Sequence, residues 1–326
     1  MSKLVTIYGG SGFVGRYIAH RMARAGWRVR VAVRRPNEAL FVRTYGVVGQ
    51  VEPVLCNVRN EASVAQAMQG ANAVINCVGT FNKGGKNNFD AVQHEGAERI
   101  ARLAAAEGVA SLVHISAIGA NVNGDSLYAK SKGRGEAGVL EHFPDAVILR
   151  PSVVFGPEDS FFNRFAGMAR LSPVLAIVGA NTKFQPVFVD DLAAAAEKAA
   201  TGAAKPGVYE LGGPEVKTFR ALMQDMLTVI ERRRLIVNIP FAIAKFTAWW
   251  FDLWQTVSGG LIKAPLTVDQ VKSLTHDNVV SEGAQGFAAL GIEPRAMETV
   301  LPTYLWRFRA SGQYAAIRAS AKHLKV

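Results

Sequence analysis

The sequence predicts an α/β protein, a doubly wound parallel sheet with a smaller, mainly helical C-terminal region, on three observations. Strand-like and helix-like patterns alternate from Lys3 to about Leu149, as a parallel sheet covered on both faces requires. A glycine-rich turn, Tyr8-Gly9-Gly10-Ser11-Gly12-Phe13-Val14-Gly15, joins the first strand-like run directly to the first helix-like run. After Pro151 the alternation loosens, with turns at Gly156-Pro157, Gly179 and Gly212-Gly213-Pro214. The expected division is a core over 1–205, with an excursion near 156–185, and a smaller region over 206–326.

The first strand is Lys3 to Ile7. In the helix that follows, Val14, Ile18, Met22 and Ala25 share one face, Arg16, His20, Arg21 and Arg24 the other, and Gly26 ends it. A strand, a tight turn and a helix N-terminus make an anion site, because unpaired N–H groups and the helix dipole face the ligand. Gly9 would permit the turn, Gly12 would let a pyrophosphate approach, and Gly15 would let helix and strand pack closely. With Gly10, Ser11, Phe13 and Val14 these form a candidate dinucleotide loop; the plain alternative is a glycine turn and nothing more.

Arg28 to Val33 is the second strand. An NAD-preferring site places Asp or Glu at its end, but this chain has Arg34-Arg35-Pro36, with no carboxylate before Glu38. Two guanidiniums suit a 2′-phosphate, each charge-assisted bond contributing roughly 1.5–3 kcal/mol. NADP(H) is therefore favoured over NAD, against the alternative of two solvated arginines at a strand end. Further strands are expected at Val51 to Leu55, Ala73 to Val78 (closed by Gly79), Ser111 to Ile115 and Ala146 to Leu149. Helices are expected near Glu61 to Met68, Phe89 to Glu107 and Ser126 to His142.

Composition fits this reading. The chain has 326 residues, 49% of them hydrophobic, enough to bury a large core. Cys56 and Cys77 lie in apolar runs without CxxC spacing and read as reduced core residues. No leader is expected ahead of a strand starting at Lys3, and no apolar run reaches the roughly 18 residues that span a bilayer; a reducing, cytoplasm-like compartment follows. The net charge of +11 gathers on N-terminal arginines and on the stretch after Tyr304, which holds five Lys or Arg and no acid. Such charge serves a phosphate-bearing cofactor, anionic lipid or an acidic partner. The six histidines lack metal-ligand spacing, and no nucleic-acid-binding motif accompanies the charge.

Chemistry centres on Tyr128-Ala129-Lys130-Ser131-Lys132. Tyr and Lys four apart share a helical face. The lysine can hold a nicotinamide ribose, and its charge would lower the phenol's pKa so that Tyr128 acts as general acid or base.

These segments resemble the extended and atypical short-chain dehydrogenase/reductase superfamily, whose fold is the NAD(P)-binding Rossmann fold. The resemblance is carried by Gly9 to Gly15, by Tyr128 and Lys132, and by Leu149-Arg150-Pro151-Ser152-Val153-Val154-Phe155-Gly156-Pro157. Pro186 to Leu192 and Gly207 to Pro214 extend it. It implies that Pro151, Ser152 and Val153 line the nicotinamide end. Asn57 and Val58, with Val78 and Gly79, would approach the adenine and its ribose, although both segments depart from the commoner patterns. The larger departure is in His114-Ile115-Ser116-Ala117-Ile118-Gly119. Active members carry Ser or Thr where Ile118 aligns, and losing such a donor costs about 10²–10³ in rate. Ser116 then reads as a strand-end hydrogen-bonder near the cofactor, and Tyr128 with Lys132 as a residual dyad.

A closer resemblance is to the nucleotide-binding accessory subunit family of respiratory complex I, in its bacterial form. It rests on Ser126 to Lys130, Phe143 to Pro151, Gly156 to Phe165, Asp269 to Lys272, Asp277 to Val280 and Val300 to Arg309. It implies tightly held NADPH in a structural role, complex I subunits at the junction of peripheral arm and membrane as partners, and a peripheral place on the cytoplasmic face of the inner membrane. Two local features agree. Phe241 to Trp254 carries aromatics on every helical face, as an interface or a buried helix would. The basic tail Arg307 to Lys325 can lie on anionic lipid. The other function in play is a free NADP-dependent reductase, epimerase or dehydratase using Tyr128 and Lys132.

Overall fold

The computed structural model describes residues 2–81, 84–257, 267–314 and 320. The chain begins β1 (Leu4–Tyr8), α1 (Phe13–Arg24), β2 (Arg28–Val33), β3 (Val51–Leu55), α2 (Glu61–Met68) and β4 (Ala73–Asn76). There follow α3 (Glu95–Ala106), β5 (Ser111–Ile115), α4 (Leu127–His142), β6 (Val147–Pro151), β7 (Val154–Phe155) and α5 (Phe162–Leu171). Then come β8 (Val174–Val178), β9 (Lys183–Phe184), β10 (Val187–Phe188), α6 (Val189–Ala200), β11 (Gly207–Leu211) and β12 (Lys217–Thr218). The last elements are α7 (Phe219–Val229), β13 (Leu235–Ile239), α8 (Phe241–Val257), α9 (Val268–Ser273) and α10 (Met297–Leu305).

Two compact units divide these elements. The first comprises Met1–Ser152, Val189–Gly212 and Val280–Pro294; the second comprises Val153–Phe188, Gly213–Val279 and Arg295–Val326. This differs from the expected boundary at 205/206. The reason is β11, which pairs in parallel with β6 from Gly207↔Val147 to Leu211↔Pro151 and so completes the first unit's sheet. Residues 280–294 return to the same unit because Glu210 accepts from the Ser281 N–H at 2.8 Å and Lys198 Nζ donates to the Leu290 carbonyl at 2.6 Å.

The first unit is a seven-stranded sheet in the order β11-β6-β5-β4-β1-β2-β3, every pair parallel. Chain direction reverses across the sheet between β1 and β4, the switch point where open α/β sheets bind ligands beyond their strand C-termini. Val64, Met68, Val74, Ile100, Leu112 and Val139 fill one face under α2, α3 and α4. Each such side chain contributes roughly 1.5–3 kcal/mol when buried. On α1, Ile18 and Met22 are buried as expected, while Ala25 is the exposed C-cap and Gly26 ends the helix at φ +82. Arg21 is not a solvated surface residue. It holds Asp190 of α6 through bonds of 2.7 and 2.8 Å and Glu197 at 3.2 Å.

In the second unit, Phe161, Phe165, Phe184 and Phe219 form an aromatic core with ring centroids 5.4–6.1 Å apart. Beside it, buried Asp159 accepts from the N–H groups of Gly156, Phe161 and Asn163 and from the Tyr304 hydroxyl at 2.7 Å. Arg307 bonds the Pro157 carbonyl and Asn163 Oδ1. Two segments singled out in the sequence, 156–165 and 300–309, thus meet in one polar knot. Burial raises the Asp159 carboxyl above its ordinary range despite these donors.

The helix α8 answers the question its aromatics pose. It buries Ala244 and Ala248, while Phe246 is 64% and Trp249 53% exposed, with Trp250 and Phe251 also in solvent. A wholly buried helix is excluded. The side chain of Trp254 and most of the basic tail (315–319 and 321–326) lie outside the described residues. No helix among the described residues is long and apolar enough to cross a membrane.

Candidate functional site: a dinucleotide cradle with a closed reactive corner

Parallel strands put the candidate residues on one edge of the first unit's sheet. Gly9 to Gly15 follow β1, Arg34 and Arg35 follow β2, Asn57 and Val58 follow β3, Val78 and Gly79 follow β4, Ser116 follows β5, and Pro151 and Ser152 end β6. Val153 begins the second unit, where its carbonyl accepts from the Val187 N–H.

The loop after β1 needs its glycines for two separate reasons. Gly9 sits at φ +76, a backbone conformation that strains any other residue. At Gly15 a Cβ would collide with the Gly9 carbonyl oxygen and come within 2.7 Å of the Gly10 Cα, so a side chain there would push α1 off the turn. Gly12 is exposed, and a Cβ there would meet only the Gly9 oxygen. It also begins α1 without a side-chain cap, and no acid occupies the first turn. The helix's opening N–H groups and its positive dipole end are thereby left for an anion. Arg16, which the sequence reading placed only among surface cations, donates to the carbonyls of Ser11 and Gly12 at 3.2 and 3.3 Å, so its positive charge stands beside the loop. A one-turn helical offset signals this, but the periodicity assigns Arg16 to the outer face.

The end of β2 offers cations and no carboxylate. Arg34 is exposed and forms no ion pair among the described residues, whereas Arg35 is paired with Glu38 at 2.9 Å. After β3, the Asn57 N–H donates to Ser63 Oγ, and Arg99 bonds the Val58 carbonyl at 2.8 Å, fixing that turn. After β4, Asn76 Oδ1 accepts from the Val78 N–H, and a Cβ on exposed Gly79 would meet only one distant amide.

The corner at the start of α4 pairs a half-buried Tyr128 with a buried Lys132. Ser126 caps α4 by accepting from the Ala129 N–H. One turn on, Lys132 is buried and its Nζ donates to the Ile115 carbonyl at 3.0 Å, which brings it to the end of β5. Burial lowers its pKa to about 8, against smaller opposing effects of Glu136 and Cys77. The expected lowering of the Tyr128 phenol is not found: burial raises it to about 12. Low dielectric around the phenolate outweighs any pull from a lysine that is itself desolvated. The ring stacks on Phe81 at 5.5 Å and meets Phe89 edge-on at 6.1 Å. Neither phenylalanine was legible as a neighbour, because Phe81 lies on the loop after β4 and Phe89 at the start of the following helical segment, both far upstream in the chain.

Ser116 and Ile118 continue the sheet through their backbone, donating to the Leu149 and Pro151 carbonyls. Ile118 is buried, and Ser116 Oγ is buried with no partner among the described residues. Beneath them His114 is 1% exposed, with Nδ1 3.1 Å from Asn76 Nδ2 and Nε2 unpartnered. Burial and then Lys132 hold its pKa down near 3, so the ring is neutral. Gln93 was also missed. It lies on a π-turn at Asp90–His94, donates to the Thr80 carbonyl at 2.6 Å and accepts from Ser131 Oγ at 2.7 Å. A π-turn leaves no periodic trace in sequence.

These features suit a dinucleotide: a glycine cradle closed to side chains, an uncapped helix start, exposed cations at β2, and an orphaned hydroxyl at β5. Residues 5–212 match the model of the NAD dependent epimerase/dehydratase family. A subunit of Arabidopsis thaliana, "NADH dehydrogenase [ubiquinone] 1 alpha subcomplex subunit 9, mitochondrial", is 32% identical over 316 residues, 95% of this chain and 79% of that protein. The "NADH-ubiquinone oxidoreductase 40 kDa subunit, mitochondrial" of Neurospora crassa is 29% identical, covering 97% and 82%. The structure of Thermus thermophilus UDP-glucose 4-epimerase in complex with NAD superposes with a TM-score of 0.69 at 17% identity, covering 94% of this chain and 99% of that one.

Proposed function

Because the chain belongs to the NAD dependent epimerase/dehydratase family, in the group of the complex I alpha subcomplex subunit 9 proteins, we propose that it is a non-catalytic, NADPH-holding accessory subunit of NADH:quinone oxidoreductase. The observation that carries this is similarity over nearly the whole chain to relatives named as subunits of that complex. The site supports it through the contrast of an intact cradle with a reactive corner lacking its donor at Ile118.

In this reading Gly9, Gly10, Ser11, Gly12, Phe13, Val14 and Gly15 hold the pyrophosphate, and Arg34, with Arg35 less engaged, holds the 2′-phosphate. Asn57, Val58, Val78 and Gly79 line the adenosine half; Ser116, Lys132, Pro151, Ser152 and Val153 line the nicotinamide half. Bound NADPH carries a transferable hydride, but with Tyr128 held protonated by burial and no hydroxyl at Ile118, this chain's residues retain the nucleotide rather than move protons around it. Partners are other complex I subunits where the peripheral arm meets the membrane, on the cytoplasmic face of the inner membrane. The exposed aromatic face of α8 and the basic tail supply contacts to protein or anionic lipid there.

The test is to tag the chain at low expression, solubilise membranes in mild detergent, and measure copurifying NADH:quinone reductase activity and bound nucleotide. Stoichiometric copurification with NADPH is expected, unchanged by Tyr128→Phe. A soluble, partner-free protein whose turnover of a screened carbonyl or sugar substrate disappears in Tyr128→Phe would instead establish the free reductase, epimerase or dehydratase.

A further inference from the structure

The second unit contains a cationic cavity that neither the nucleotide nor the exposed aromatics explain. It has a volume of about 670 Å³ and is walled by α7 and the residues leading into β13, among them Arg220, Arg232, Arg233 and Arg234. Cavities of this size accommodate small-molecule ligands. Three of the guanidiniums are fixed by backbone carbonyls: Arg232 Nε donates to Phe308 at 2.9 Å, Arg234 Nε to Ala169 at 2.7 Å, and an Arg220 terminal nitrogen to Ile236 at 3.3 Å. A carbonyl orients a guanidinium without neutralising it. Among the described residues, none of the four is paired with a carboxylate. The acid on the same wall, Glu231, is engaged by Arg309 at 3.3 Å. Four cations without a carboxylate partner among the described residues, three of them held in place, leave donors free around one space for planar, bidentate recognition of an oxyanion.

The turn that builds the wall is also unusual. Glu231 has φ +56, the one non-glycine positive value among the described residues. It reverses the chain after α7 so that three consecutive arginines follow. The other wall is apolar, with Leu227, Leu235 and Ile236 lining the cavity. Leu235 is 65% exposed, and Val237 and Val174, on the paired strands β13 and β8, are exposed as well. A bare inorganic anion has no use for such a rim; an anion carrying hydrocarbon does.

We propose that this cavity binds the phosphate headgroup of an anionic phospholipid, the arginines taking the phosphodiester and the acyl chains running along Leu235, Val237 and Val174. The inference deepens the reading of the chain as a peripheral subunit of a membrane-bound complex and rests on it for the source of the lipid. The site itself is tested on the purified full chain with its nucleotide bound.

Dihexanoyl phosphatidylglycerol, kept below its micelle concentration, is titrated calorimetrically, with inorganic phosphate and polyglutamate as separate probes. Saturable lipid binding is expected, with inorganic phosphate at least tenfold weaker. Among the described residues Arg233 makes no side-chain hydrogen bond or ion pair, so Arg233→Gln should weaken the lipid about tenfold by removing a charge-assisted contact. Arg24→Gln, an equal loss of charge on an exposed arginine of the first unit, should change it less than twofold. Equal losses in the two variants would reduce the effect to diffuse charge and overturn the proposal. So would phosphate binding as tightly as lipid, polyglutamate displacing lipid at equal concentration, or the absence of saturable binding. Lipid binding without copurification would leave this site standing while removing the accessory-subunit reading; copurification without lipid binding would do the reverse.

Discussion

The loop after β1 and the corner at the start of α4 occupy the same edge of one sheet, yet they are built on opposite terms. The loop excludes side chains: Gly9 and Gly15 keep it thin, and exposed Gly12 opens an uncapped helix start. The corner is filled with them. Phe81 and Phe89 pack against Tyr128, Lys132 is tied to a carbonyl, and Ile118 is buried. The difference separates holding a nucleotide from reacting with it. Binding needs backbone N–H groups and fixed cations, which burial strengthens. Proton transfer needs a group titrating near neutrality; here burial has moved Tyr128 up to about 12 and His114 down to about 3, and the one group it brings to about 8, Lys132, is tied to the Ile115 carbonyl.

The largest expected effect breaks the corner by acid. His114 has a folded-state pKa near 3 against about 6.5 when unfolded. Between those values the unfolded chain binds the extra proton, so stability is fully present above about pH 6.5 and falls as pH drops toward 3. The expected loss by pH 3 is on the order of a few kcal/mol. Urea unfolding followed at pH 7, 5.5 and 4 should show it, and His114→Gln should flatten the dependence in this window. An unchanged slope in the variant would assign acid sensitivity to other groups.

Breaking the loop comes next. Gly15→Val drives a side chain into the Gly9 and Gly10 backbone, an overpacking expected to cost about 1–3 kcal/mol and to abolish nucleotide retention. Gel filtration followed by nucleotide assay reads the second effect, and chemical unfolding the first. Retention of stoichiometric nucleotide would mean that the loop is not the cradle.

A finer distinction lies within the cradle. Arg34→Gln should weaken NADPH at least tenfold, through loss of about 1.5–3 kcal/mol, and leave NADH almost unchanged. Arg35→Gln should do less, because Arg35 is already paired with Glu38. Equal effects on both nucleotides, measured by isothermal titration, would remove the 2′-phosphate assignment. The smallest effect sharpens the comparison from the other side. Tyr128→Phe should alter NADPH affinity by less than about 0.5 kcal/mol, the size of a surface substitution, because its covering rings remain. Ile118→Ser places a hydroxyl at the position where active members of the family carry one, and a gain of carbonyl reduction in that variant would show how little separates holder from enzyme.

Local chemistry made the cradle legible. Gly9 and Gly15 mark it because only glycine satisfies a positive φ or a backbone-on-backbone contact, and such demands are written at single positions. Arg34 and Arg35 were readable for a similar reason, since a strand end fixes their place in the fold. The Tyr128 and Lys132 pair was visible through helical spacing, but its ionisation was not. That depends on Phe81, Phe89 and the floor of β5, which spacing along α4 does not encode. The exposure of α8 was equally hidden, because its aromatics fit a buried helix or an interface alike until Ala244 and Ala248 prove to be its buried stripe.

By itself, then, the sequence determined the strand–turn–helix periodicity, the glycine positions and the placement of charge at strand ends, because these follow from backbone sterics over a few residues. Tertiary structure alone decided which polar groups lost water. It also brought β11 and residues 280–294 into the first unit, and left four arginines around one cavity unpaired with any carboxylate among the described residues, Glu231 being engaged by Arg309. Desolvation and charge pairing depend on neighbours distant in the chain, and only folding brings those neighbours together.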